Sequence, residues 1–395
     1  MAGLGPWEPA PRLAAAVSGG ADSTALALLA DGWVRRRGGV LQALIVDHGL
    51  RAESAAEAAL TRHRLAAHGI AARVLTIHGL PHGPALAARA RGARYALLGE
   101  ACATLGCPHL LLGHHAADQA ETVMLRVLGG STGKGLAAMP ALADGPGPRL
   151  LRPLLAEPPA ALRDFLRTQS MPWVEDPSNA NPAALRARLR AAATPAGTAA
   201  LAASAALAGR HRAMQEADDA AELARRVTIR PEGFALLSPG ALRQGALSAL
   251  WRAIGGDAYP APAVALATLA RSPQPATLAG VRLLAAGRLG PGWLVVREER
   301  AIAPPAVASD GMIWDGRFRL LLRGNPSGLT IGALGDDAVR FRRRSGLPSV
   351  VLRVLPAVRA GNLLAVVPHL DYRDDALCAG AAVVFHPPVP MAGAP

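Results

Sequence analysis

Lysine is nearly absent from this chain. Lys134 is its only copy, so arginine supplies the rest of the 42 basic side chains set against 29 acids, a formal net charge of +13. An excess of that size points to a polyanionic partner. Arginine suits phosphate because its planar fork donates two parallel hydrogen bonds, although an Arg- and Ala-biased coding composition would also raise the charge. Aromatic residues are scarce at 4%, which argues against a sheet that reads RNA by base stacking. Cysteine is limited to Cys102, Cys107 and Cys378. Their spacing gives neither a disulfide framework nor a CxxC metal pair and fits a reducing compartment. Uninterrupted apolar runs of membrane-spanning length are missing too. The Ala-rich run near the N-terminus resembles a signal peptide, but Ser18, Gly19, Gly20 and Asp22 break it and no basic segment precedes it. A cytoplasmic protein with no membrane partner is expected.

What is present is a large apolar share, 51% of 395 residues, enough for two or three domains with sizeable cores. Short apolar runs at Leu13–Val17, Val40–Val46, Ala72–Ile77 and His109–Gly113 read as strands. They alternate with helical patterns at Ser23–Ala30, Ala52–His68, Ala85–Leu105 and Ala116–Leu128. That alternation predicts an α/β domain with a parallel sheet covered on both faces, which binds ligands at the C-terminal ends of its strands. A further strand–helix unit is read in 150–173, after a Gly/Pro-rich stretch. Residues 183–226 read as helical with a break near Thr194–Gly197, and 227–302 as mixed. Residues 312–384 read as a small β-rich module, followed by a loose Pro/Gly/Ala tail. The expected domains are 1–205, 206–302 (helical or mixed) and 307–395 (C-terminal, with the loose tail).

The stretch "SGGADS", Ser18 to Ser23, sits between the first strand and the first helix. A first helical turn offers amides without intrahelical partners, and the helix dipole favours anions there. Gly19 and Gly20 allow close approach and unusual φ values, and Ser18 and Ser23 add hydroxyls. Asp22 repels phosphate unless it holds Mg²⁺, which takes hard oxygen ligands. The segment lacks the GK[ST] ending of a Walker loop and the G-x-G-x-x-G of a dinucleotide site.

A second constellation is "GHHAADQAET", Gly113 to Thr122. His114 and His115 leave a strand at the same edge of the sheet. Asp118 and Glu121, three apart, share one face of the next helix, which Leu125 and Leu128 are expected to continue into the core. Two imidazoles and two carboxylates beside a nucleotide loop can bind a metal, a cationic substrate or a proton.

The Ser-Gly-Gly-x-Asp-Ser spacing resembles the pyrophosphate (PP) loop of N-type ATP pyrophosphatases, of the adenine nucleotide alpha hydrolase-like fold. The His-acid run resembles the HHxxDQxET pattern of tRNA(Ile)-lysidine synthetases. "VDHGLR" (46–51), "ARGARY" (90–95), "GGSTGKGLAAMP" (129–140), "RPLL" (152–155) and "WVEDPSN" (173–179) match further signatures of that family, and "WDGRFRL" and "LPAVRAGNLLAVVP" match more loosely. Gly129 stands where the family has Arg, and Ala187 where it has an Asn. If that Asn orders a loop over the active site, this chain must do so otherwise.

The resemblance implies a ligase that takes ATP, Mg²⁺, L-lysine and an isoleucine tRNA with a CAU anticodon. ATP adenylates O2 of the wobble cytidine, the lysine side-chain amine attacks C2, and AMP leaves. It further implies that Ser18, Gly19, Gly20, Ala21, Asp22 and Ser23 hold the pyrophosphate, with Asp22 on Mg²⁺, and that Asp47 and His48 line an adenosine pocket. Asp118 and Glu121 would bind the amino groups of lysine. His114 would take a proton or polarise the cytosine. Arg94 would contact a phosphate or the substrate carboxylate. The first expected domain would be the catalytic one and the other two tRNA-binding, and Arg-rich stretches at Arg186–Ala193 and Val339–Pro348 are candidates for RNA backbone contact. A homodimer is left open. The rival readings are a tRNA-thiolating relative and a catalytically inactive RNA-binding relative.

Overall fold

A computed structural model describes residues 1–49, 53–79, 83, 86–131, 133–145, 147–175, 185–323, 328–378 and 380–388. The Leu-Arg end of the "VDHGLR" run, Thr132, the "DPSN" residues and the final tail lie outside these. The chain divides into two compact units, Met1–Ala213 and Met214–Pro395. The division falls within one long helix, Pro195–Arg226.

The first unit follows the alternation read from the sequence. β1 (Arg12–Val17), β2 (Val40–Asp47), β3 (Ala71–Thr76) and β4 (His109–Leu112) are separated by α1 (Ala21–Arg35), α2 (Ser54–Ala67) and α3 (Leu86–Leu105). Then come α4 (Ala116–Leu128), β5 (Leu142–Ala143), β6 (Arg149–Leu151), α5 (Pro159–Thr168) and α6 (Leu185–Ala192), and the long helix is α7. The sheet order is β3-β2-β1-β4-β6-β5. All pairings are parallel except β5 with β6, an antiparallel edge that the Gly/Pro-rich composition of its neighbourhood hides.

β1 is the central strand, and its alternation serves two cores. Leu13, Ala15 and Val17 face a cluster with Leu26 and Val34 of α1, Leu65 of α2 and Leu166 of α5. Ala14 and Ala16 face the opposite cluster, with Leu98 and Cys102 of α3. Small side chains on both faces of β1 let helices approach closely from either side. Leu128 departs from expectation. It is 69% exposed, and Val123 makes the inward contact of α4, with Ala138 and Ala205.

Because β2 lies on one side of β1 and β4 on the other, the order reverses between β1 and β4. This is the topological switch point at which such sheets bind ligands.

The second unit is mostly antiparallel. One sheet contains β7 (Val227–Arg230), β8 (Phe234–Leu237), β9 (Ala276–Leu278), β10 (Val281–Ala285) and β11 (Trp293–Arg297) in the order β7-β8-β11-β10-β9. Helices α8 (Gln244–Gly255) and α9 (Ala263–Arg271) pack on it through Trp251, Ile254 and Leu266. A second sheet contains β12 (Ala306–Val307), β15 (Leu329–Ala333), β16 (Pro356–Ala360), β17 (Leu363–Val367) and β18 (Tyr372–Arg373) in the order β12-β15-β16-β17-β18. The "WDGRFRL" run supplies β13 (Ile313–Trp314) and β14 (Phe318–Leu322), and a third sheet places β14 between β13 and β19 (Ala381–Phe385). The turn between β13 and β14 holds Asp315 at φ +50°. Arg317 is fully buried. It donates through Nε to Asp315 (2.7 Å) and through Nη1 to Gly233 O (2.9 Å), while Ala303 N–H also donates to Asp315. This ion pair ties the third sheet to the β7–β8 hairpin.

Candidate active site

The Ser18–Ser23 segment leaves β1 and enters α1. Ser23 Oγ donates to Gly20 O (3.1 Å) and accepts from Ser18 N–H (3.1 Å), with Ser18 Oγ also at 3.1 Å. The loop is thus closed by its own serines. Of the two glycines, only Gly19 has positive φ (+87°), and a Cβ there would meet Thr61 Oγ1 at 2.5 Å. Gly20 is an extended N-cap at φ −71°, so the expectation of unusual φ values holds for one position. The first intrahelical bond runs from Thr24 N–H to Gly20 O. The first-turn amides of Ala21, Asp22 and Ser23 therefore face the switch point at the positive end of the helix dipole.

The His-acid run leaves β4 beside this loop. A Cβ on Gly113 would lie 3.0 Å from Ser23 Cα and 3.1 Å from Ser23 N. Glycine is what lets the exit of β4 rest on the first turn of α1. Two residues on, His115 is the N-cap of α4, and its backbone N–H donates to Asp118 Oδ2 at 3.0 Å. Its ring Nε2 lies 3.4 Å from Asp22 Oδ2. Burial opposes charge on this imidazole, but the Asp22 hydrogen bond and the Asp118 field outweigh it and its pKa is raised. His114 goes the other way. Burial is the main cause, with Arg152, Arg91 and Arg94 adding like charge against Asp118, and its pKa falls to about 4. The adjacent histidines are thus shifted in opposite directions.

A cleft of about 790 Å³ lies over these strand ends. Its lining includes Ser18, Gly20, Ala21, Asp22, Ser23, Asp47, His48, Arg94, His114 and Asp118. Gly19 borders it from the loop, with its carbonyl accepting from Val174 N–H (2.9 Å). Asp47 is buried at the end of β2. The Ser54 hydroxyl donates to it at 2.6 Å and Gly49 N–H at 3.0 Å. The Ser54 bond, helped by Gly49 and His48 and opposed by burial, holds its carboxyl below the usual range.

Glu121 is not on the cleft wall. It is buried, and Arg190 of α6 donates to its Oε1 from Nε and Nη2, both at 2.7 Å. One helix face thus splits, with Asp118 turned to the histidines and Glu121 to an arginine 69 residues away.

Sequence reasoning passed over several groups. Arg190 lines the cleft beside Glu121, as do Ser54, Arg91, Tyr95, Arg163 and Glu175. Gln119 exchanges bonds with Met139 (3.0 and 2.9 Å) and so pins the loop before Pro140 to α4. The arginine richness of "LRARLR" was the available signal for Arg190; nothing local marked its partner.

As for a cation, Asp22 Oδ1 is buried without a hydrogen-bond partner. Among the described residues no group of three or more His, Cys, Asp or Glu side chains is arranged to hold a metal. One unpartnered carboxylate oxygen at a phosphate loop fits Mg²⁺, which keeps waters and phosphate oxygens in most of its coordination positions.

Residues 4–196 match the PP-loop domain family. Along 82% of its length the chain is 38% identical to the tRNA(Ile)-lysidine synthase of Mesorhizobium japonicum, covering 76% of that protein. It is 35% identical to the tRNA(Ile)-lysidine synthase of Ruegeria pomeroyi, across 91% of this chain and 89% of the other. With that of Rhodopseudomonas palustris it shares 44% identity over a shorter region, 47% of this chain and 54% of that one.

Proposed function

This chain belongs to the tRNA(Ile)-lysidine synthase family of PP-loop, ATP-binding tRNA-modifying enzymes, and from that premise we propose that it ligates L-lysine to C2 of the wobble cytidine, position 34, of a CAU-anticodon isoleucine tRNA. The cytidine O2 attacks the α-phosphorus of ATP and pyrophosphate leaves. The lysine ε-amine then attacks C2 and displaces AMP. The product base pairs with A, which moves decoding from AUG to AUA.

The observation that carries this reading is the contact between the two motifs. Gly113 packs on Ser23, and His115 reaches Asp22 at 3.4 Å, so a nucleotide held at the mouth of α1 lies against the His-acid cluster. Ser18, Gly19, Gly20 and the first-turn amides of α1 hold the phosphates. Asp22 holds Mg²⁺, which when bound neutralises the leaving pyrophosphate. Asp47 and His48, with Ile45, Val46 and Ile77 on the same wall, form the adenosine side. Asp118 takes a lysine ammonium. Handing a proton from an ordinary ammonium near 10.4 to a ring near 4 is uphill by about 9 kcal/mol, so His114 is a poor base for the amine. Its neutral ring suits a hydrogen bond that polarises the pyrimidine. Glu121, already paired, acts through Arg190 rather than on the substrate. In the second unit, Arg342, Arg343 and Arg344 are exposed on one turn and supply backbone contacts to the tRNA.

Thiolation needs an accessible, ionisable thiol. All three cysteines are buried, and burial pushes Cys102 up to about 12. The deciding experiment is mass analysis of the wobble base after incubation with tRNA, ATP and lysine. A lysine-sized gain supports ligation. A sulfur-sized gain, or an unchanged base in the presence of all three, overturns it.

A further inference from the structure

The wall of the cleft formed by α3 carries more positive charge than ATP and an amino acid require. Arg91, Arg94 and Tyr95 line it, and Arg152, at the exit of β6, is 8% exposed behind them. Arg152 donates to Pro140 O at 2.9 Å, and the nearby Tyr95 raises its pKa against the lowering by burial. Arg91 donates to the Tyr95 hydroxyl at 3.3 Å, and its guanidinium lies 5.0 Å from the ring centroid. Among the described residues none of the three arginines forms an ion pair with a carboxylate, and Arg152 Nε is buried without a partner. Burial lowers the pKa of both Arg94 and Arg152, and the groups acting on them are Tyr95 and other arginines. A buried guanidinium without an acid is costly. Keeping a half-buried and a buried guanidinium beside a tyrosine makes sense when the ligand brings the negative charge.

We propose that Arg91, Arg94 and Arg152, gathered around Tyr95, form an oxyanion subsite that takes a phosphodiester of the RNA beside the target nucleotide. The proposal rests on the reading that the substrate is a tRNA. The charge runs from the exposed Arg91, through the half-buried Arg94, to the buried Arg152. Such a track suits a chain entering from solvent better than a free carboxylate. The phosphates of ATP are served elsewhere, at the mouth of α1. A nucleotide drawn out of its stack keeps its backbone phosphate close by, and Arg and Tyr side chains both donate to phosphate oxygens.

The test is filter binding of the CAU-anticodon tRNA to the full chain without ATP or lysine, at a series of salt concentrations, for wild type, the Arg91→Gln/Arg94→Gln double variant and Arg152→Met. The expected result is a Kd at least about tenfold weaker in the double variant. The slope of log affinity against log salt should flatten by about 0.7 for each phosphate that is no longer neutralised. ATP binding, measured by equilibrium dialysis, should be unchanged. Unchanged tRNA affinity and slope in a double variant with a wild-type melting curve overturns the proposal. So does an effect confined to the KM for lysine, which would assign the subsite to a carboxylate. If Arg152→Met fails to fold, the double variant decides alone. Because the readout is binding, it stands or falls apart from the mass analysis of the wobble base.

Discussion

Two groups of buried arginines in this chain have opposite electrostatics. In the second unit, Arg317 and Arg297 share Asp315, at 2.7 and 3.3 Å. Burial lowers Arg317 to about 10, with Asp315 opposing. In the first unit, the half-buried Arg94 and the buried Arg152 have Tyr95 and other arginines as their charged or polar neighbours. The first arrangement has its counter-charge within the fold, whereas among the described residues the second has none. The same contrast runs through the acids. Asp315 has its partners within the fold, while Asp22 keeps one oxygen unpartnered at a phosphate loop. Polar groups completed by the protein hold the fold together, and those left incomplete wait for substrate.

If that division is right, its two sides respond differently to substitution. On the incomplete side, Asp22→Ala should abolish adenylation, reducing tRNA-dependent pyrophosphate release about a thousandfold or more, the scale on which electrostatic stabilisers of a transition state act, with little change in melting temperature. Normal pyrophosphate release would remove Asp22 from the metal role. On the complete side, Asp315→Ala should leave two guanidiniums without an acid, one fully buried, at a cost of about 3–5 kcal/mol in stability. Urea denaturation checks this, and a loss below about 1 kcal/mol would show that Arg317 finds solvent or another acceptor. A third class, exposed and, among the described residues, not paired with an acid, is represented by Arg342, which donates to the Ser349 hydroxyl (3.1 Å), and Arg343. Reversing both to Glu should weaken tRNA binding about tenfold and flatten its salt dependence without affecting folding. Equal affinity at every salt concentration would make that turn structural.

The sequence carried the α/β alternation and both motifs, because each is local: strand and helix periods, a glycine turn, a His-His exit. It also carried the side of the sheet on which they meet, since both follow strands in a parallel sheet. Pairings between distant segments were not legible. Glu121 and Asp118 look equivalent on a helical wheel. They part because α6 brings Arg190 to one and His115 caps the helix against the other. His114 and His115 look like a pair, yet the arginines of α3 and β6 face the first and Asp22 the second. Nothing within ten residues of Arg152 foretells that it is buried without an acid. Charge state is a property of the packed neighbourhood, and periodicity does not reach that far.

Asp47 tests the same division at its smallest scale, because it lines the cleft and yet is completed by the protein. Ser54 and Gly49 donate to one of its oxygens. Removing the hydroxyl in Ser54→Ala should cost about 1.5–3 kcal/mol at neutral pH, the range for a hydrogen bond to a charged acceptor. The pH dependence identifies the source of that cost. The carboxyl is depressed in the folded chain, so the stability that it contributes is present above its unfolded value near 3.9 and is lost as pH falls through the lower folded value. Without Ser54 the folded value moves up toward the unfolded one, and less stability remains to be lost in acid. Urea midpoints of wild type and variant should therefore differ at pH 7 and converge as pH falls through the depressed folded value. A gap of constant size across that range would mean that Ser54 stabilises the N-terminus of α2 by packing, and that Asp47 is as open to substrate as Asp22.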